Sequence, residues 1–138
     1  MSPQTGRRAG RRTALFLLYQ WDLTGQPLAS LYEGEPDEFA TELAGAVSAR
    51  AEDLDRRVTE SSDEWAAERM GTLERNILRI GVYELLWAGD VPDGVAISEA
   101  VQLARSLSTD ASPAFVNGLL ARLLELKPTL ADDRQAGS

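Results

Sequence analysis

The chain has 138 residues, 43% hydrophobic and 26% charged, close to the globular average, so a single domain with its own core is expected. It contains no Cys and no His, which excludes disulfides, thiolate and imidazole metal sites, Cys nucleophiles and a Ser-His-Asp triad. The net charge of −8 is unevenly spread, because residues 1–12 carry Arg7, Arg8, Arg11 and Arg12 without an acid while the remainder is strongly acidic. A basic arm on an acidic body suggests two kinds of partner, one polyanionic and one basic.

The first helix is expected from near Arg8 or Arg11 to about Leu23, with Leu15, Leu18, Tyr19 and Asp22 at helical spacing and Phe16 widening the apolar face. Its apolar run from Ala14 to Leu18 is far shorter than the roughly 20 residues that cross a bilayer. The run is also too short for an export signal, despite Arg11-Arg12 before it. No membrane is expected, and a cytoplasmic location agrees with the absence of Cys.

Gly25, Pro27, Gly34 and Pro36 punctuate a loop, and a second helix is expected to open at Pro36 with Asp37 and Glu38 in its first turn. Phe39, Leu43 and Val47 form its inner face, and Leu54 and Val58 that of a third helix. Ser61-Ser62-Asp63 reads as a boundary before a short turn carrying Trp65 and Met70. A central helix from about Thr72 to Trp87, N-capped by Thr72, is apolar nearly all round and therefore buried. Val91-Pro92-Asp93-Gly94 reads as a turn, and a sixth helix covers about Val95 to Leu107. Ser112-Pro113 opens a last helix with Val116, Leu119, Leu120 and Leu123 on its stripe. The expectation is an all-α protein of about seven helices, divided into a basic arm (1–12), one helical domain (13–128) and a flexible tail (129–138).

Motifs of catalysis are missing. Neither a phosphate loop nor a dinucleotide fingerprint occurs, so no enzyme activity and no cofactor is expected. The carboxylates Glu35, Asp37 and Glu38 read as a solvated helix start. Glu84 sits within an apolar stretch and needs a cationic partner, for which Arg75 and Arg79 are nearest along the helix. The positive signal is the arm, GRRAGRR, beside a helix bearing Phe16, Tyr19 and Trp21. Guanidinium groups pair with phosphates and aromatic rings stack on unpaired bases. Four such phosphate contacts imply a salt slope of about −2.8 on single strands, a loss of roughly fiftyfold between 50 and 200 mM salt.

In four ordered blocks the residues resemble the NusB family of bacterial transcription antitermination factors. These are GRRAGRR followed by LLYQWD, then MGTLERNILRIGVYELL, VPDGVAISEAVQLARSLS and FVNGLLARLLE. The resemblance implies two packed three-helix halves and recognition of a single-stranded boxA element in nascent ribosomal RNA. It also implies a partner, the ribosomal protein NusE, and assembly on RNA polymerase to suppress premature termination. By position, Arg7, Arg8 and Arg11 match RNA-contacting residues, with Arg12 extending the basic set where the family more often has an acid. Tyr19, Phe115 and Asn117 match positions near the same surface, with Tyr19 and Phe115 also candidates for core. Glu74 matches an acidic position of the protein-partner interface. Ser98 and Ala111 depart from the family's usual asparagine and polar residue, and Gly6 and Gly10 suggest a mobile arm. Some members form homodimers, and the residues leave this open. The competing reading is an acidic helical adaptor that binds a basic protein without touching RNA.

Overall fold

The computed structural model describes residues 3–35, 37–62, 70–107 and 112–127. Their α-helices are α1 (Pro3–Thr24), α2 (Glu38–Ala49), α3 (Ala51–Ser61), α4 (Thr72–Leu86), α5 (Asp93–Leu107) and α6 (Ser112–Glu125), with a 3-10 turn at Leu28–Leu31. The all-α class and the two halves, α1–α3 and α4–α6, are as expected. The short turn around Trp65, Pro36, Ala111 and the tail 129–138 lie outside the described residues.

Four helix starts differ from expectation. Helix α1 begins at Pro3, so Arg7 to Arg12 are helical rather than an arm apart from the domain. It ends where Gly25, at φ +75°, donates its N–H to the Trp21 carbonyl at 2.9 Å, a left-handed stop that favours glycine. Asp37 is the N-cap of α2 rather than a first-turn residue, accepting from the Ala40 N–H at 2.9 Å. Gly71, not Thr72, is the N-cap of α4, and its carbonyl accepts from the Arg75 N–H at 2.9 Å. Helix α5 starts two residues early because the Pro92 carbonyl already accepts from the N–H groups of Val95 and Ala96, both at 3.0 Å.

Helix α4 is the axle of the fold, packing on α1, α2, α3, α5 and α6. Its residues Asn76 to Val82 are all buried, as the all-round apolar pattern predicts. Gly81 of α4 faces both α5 and α6 at close range. A Cβ there would lie 2.9 Å from Leu120 Cδ1 and 3.2 Å from Ala100 Cβ. Leu120 can swing aside, but Ala100 has no rotamer to offer. Gly81→Val is therefore expected to cost about 2 kcal/mol through overpacking. The reading is a drop of about 1 M in the urea midpoint; an unchanged midpoint would show the α4–α5 contact to be slack.

Candidate nucleic-acid interface

Helix α1 sorts its residues by the 3.6-residue period. Positions 11, 14, 15, 18 and 22 fall on one side, and Ala14, Leu15 and Leu18 are fully buried there. Positions 8, 12, 16, 19 and 23 fall within an arc of about 80° on another face. Arg8, Arg12, Phe16 and Leu23 are exposed on that face and Tyr19 is half-buried. A cationic end thus runs into an aromatic stretch along one helix.

The four arginines do not stand alike. Arg11 is fully buried (0% exposed) and donates from Nε to Glu84 Oε1 at 2.8 Å and Oε2 at 3.0 Å. Its guanidinium is therefore enclosed in the core and out of reach of an RNA strand, which corrects its assignment as an RNA contact. This pair also corrects the expected partners of Glu84, since neither Arg75 nor Arg79 reaches it. Burial pushes the Glu84 carboxyl above its ordinary range, and the hydrogen bonds and charge of Arg11 oppose that rise. Arg7, half-buried, pairs with exposed Asp90 at 2.8 Å and lies over the Phe39 ring. That contact holds the Asp90 carboxyl below its usual range.

Arg8 is the exposed member of a third pair. Its Nε donates to both oxygens of Glu99 at 3.2 Å and its Nη2 to Oε1 at 3.0 Å. The Glu99 hydrogen bonds raise the Arg8 pKa further above its ordinary value. Arg12 makes no ion pair among the described residues and lies over the Phe16 ring, 6.0 Å from its centroid. Arg8 and Arg12 share a groove between α1 and α5 with Glu99, Gln102 and Ser106. Gly10, expected to loosen this segment, instead packs tightly, because a Cβ there would lie 2.6 Å from Phe39 Cδ1.

A second polar cluster, missed in the sequence, ties the other end of α1 to the fold. Asp22 Oδ2 accepts from Arg75 Nε at 2.9 Å, Arg79 Nη1 at 3.0 Å and Asn76 Nδ2 at 3.1 Å. Arg79 also holds Asp55 of α3 with two bonds at 2.7 and 2.6 Å. Asp22 reads as part of an apolar face by spacing, and it does point inward. A charge on that face required a buried cation on another helix.

The remaining predicted residues sit on other elements. Phe115 is half-buried and Asn117 exposed on α6. The groove beside Phe115 is lined by the end of α3 (Ser61 and Ser62) and by α6, including Arg122, so it is separate from the α1–α5 groove. Glu74 is half-buried in the first turn of α4, and its Oε1 accepts from Ser112 Oγ at 3.4 Å. It thereby also links α4 to the start of α6.

The chain is similar to known proteins along most of its length. Residues 8–125 match the model of the NusB family. The transcription antitermination protein NusB of Thermobifida fusca is 47% identical over 132 residues, covering 91% of this chain and 93% of the relative. The structure of T. maritima NusB superposes with a TM-score of 0.77 at 26% identity, covering 90% of this chain and 92% of that one. A crystal structure of antitermination factors NusB and NusE in complex with dsRNA includes a chain of TM-score 0.75 and 26% identity, with 87% and 96% covered. With a family match spanning nearly all of the helical core and a relative at almost half identity, the chain belongs to the NusB family of transcription antitermination factors, which are not enzymes.

Proposed function

We propose that this protein is an RNA-binding antitermination factor that engages a boxA-type element of nascent ribosomal RNA together with a NusE-like ribosomal protein and joins RNA polymerase in the cytoplasm. The observation that carries the reading is the exposed face of α1, where Arg8 and Arg12 lead into Phe16 and Tyr19. Guanidinium groups supply phosphate contacts, and the rings beside them supply stacking surfaces for bases. The likeness to a NusB that has been crystallised with NusE and RNA supports the same partners here. Phe115 and Asn117 on α6 extend the proposed contact, and Glu74 is proposed for the ribosomal protein, whose kind is normally basic. Self-association remains compatible with the same face and is read from the mass in solution.

Fluorescence anisotropy of a labelled boxA-type RNA, with and without the NusE-like protein, tests the reading. With Arg11 enclosed, three arginines remain to meet phosphates, so a salt slope of about −2.1 is expected, or roughly twentyfold weakening from 50 to 200 mM. Arg12→Ala is expected to weaken binding and reduce that slope by about 0.7. A scrambled RNA should bind less well, and the partner should tighten the complex. If the partner binds while RNA is ignored in every condition, the adaptor reading replaces this one.

A further inference from the structure

Arg8 and Glu99 differ sharply in exposure. The Arg8 side chain is 63% exposed, whereas that of Glu99 is 7% exposed. Glu99 takes one edge of the guanidinium, the Nε and Nη2 side. A guanidinium has five N–H donors in a rigid fork, so its Nη1–Nη2 edge is left to face outward beside Arg12.

We propose that Glu99 is a positioning residue for RNA binding, clamping one edge of Arg8 so that the opposite edge receives an RNA phosphate. The proposal rests on the RNA-binding reading above. The alternative, in which phosphate displaces Glu99, leaves a buried carboxylate without its cation and close to a second one, Glu84. Glu99 itself is nearly enclosed, and leaving its carboxylate without the three Arg8 hydrogen bonds costs more than a single charge-assisted hydrogen bond to phosphate gains. Glu99 therefore stays in place and the phosphate adds to the pair. Held this way, Arg8 binds RNA without first losing the rotamer freedom of a long surface side chain.

The test is a double-mutant cycle on the full chain, read by anisotropy with a boxA-type RNA in the presence of the NusE-like protein. Glu99→Gln is expected to weaken binding about fivefold and to leave the salt slope unchanged, because Arg8 keeps its charge. Arg8→Ala is expected to weaken binding about tenfold and to reduce the slope by about 0.7. In the Arg8→Ala background Glu99→Gln should then change nothing further. Glu99→Gln binding that is unchanged or tighter overturns the proposal, since the carboxylate would then act only as a counter-charge. An equal loss in both backgrounds also overturns it, as an effect on the fold rather than on Arg8. Arg8→Lys, at an exposed position, gives a reading independent of any folding defect at Glu99. It keeps the charge but has no second edge, so it should lose nearly as much as Arg8→Ala, and wild-type affinity would refute the clamp. Absence of binding by the unaltered protein would instead count against the RNA reading itself.

Discussion

Arg11→Ala is expected to lower the thermal midpoint by roughly 10–15 °C, the largest effect of any single change on α1. The side chain is fully enclosed and its partner Glu84 is 2% exposed. Removing the cation strands a carboxylate in the core, which costs about 3–5 kcal/mol. The pH dependence has a definite sign. Burial already places the folded-state pKa of Glu84 above its unfolded value, and losing Arg11 removes the contacts that restrain it. A raised carboxyl favours the fold below its unfolded pKa, and that contribution is lost as pH rises through the folded pKa. The deficit of Arg11→Ala relative to the unaltered protein is therefore expected to be smaller at pH 5 than at pH 8. Thermal unfolding followed by circular dichroism at both values checks this, and equal deficits would mean that Glu84 finds another cation. Replacing both partners, Arg11→Met with Glu84→Leu, should recover most of the stability, as apolar substitutes for buried pairs do. An RNA-binding defect in Arg11→Ala would thus report a damaged fold rather than a missing phosphate contact.

The second large effect lies at the opposite end of α1. Arg79→Met is expected to cost about 3 kcal/mol, seen as a fall of roughly 1.5 M in the urea midpoint. Arg79 serves Asp22 and Asp55 at once and also donates to Asn76 Oδ1 at 3.0 Å. Burial disfavours its charged form, yet the two carboxylates outweigh that and raise its pKa. Its removal leaves two acids facing the same space, with Arg75 able to answer only Asp22. Because Asp55 is 29% exposed and Asp22 16%, water reaches both, and the cost stays at the low end for a buried pair. Arg79→Lys restores the charge but not the fork that spans both acids, so it should recover only about half of the loss. A midpoint within about 0.3 M of the unaltered protein would show that the network is not stabilising.

Helices were legible because their apolar periods were. The stripe of α6 and the all-round burial of α4 follow directly from the positions of Leu, Ile and Val. The charges were not, since a lone Arg or Asp on a helix is a surface residue by default. Yet Arg11 and Asp22 share the period of Ala14, Leu15 and Leu18, at i, i+3, i+4, i+7 and i+11. That phase is the signal by which both could have been placed inside. What no local pattern contains is the partner: Glu84 lies 73 residues from Arg11, and Glu99 lies 91 from Arg8. On the exposed face, Arg12 and Phe16 stand where the basic and aromatic content of the segment placed them. Phe115 and Asn117 rest on family likeness alone, and the described grooves do not join them to α1.

The long reach of these pairs has a consequence for synthesis. The ribosome releases α1 first, but Arg11 has no carboxylate to bury against until α4 has left the exit tunnel. Arg8 waits longer still, for Glu99 on α5. The nascent α1 can pack on α2, against Phe39, as soon as that helix emerges, but the charge of Arg11 stays without its carboxylate while more than half of the chain is made. The first half is therefore completed only late in translation, when α4 and α5 bring Glu84 and Glu99 to its arginines.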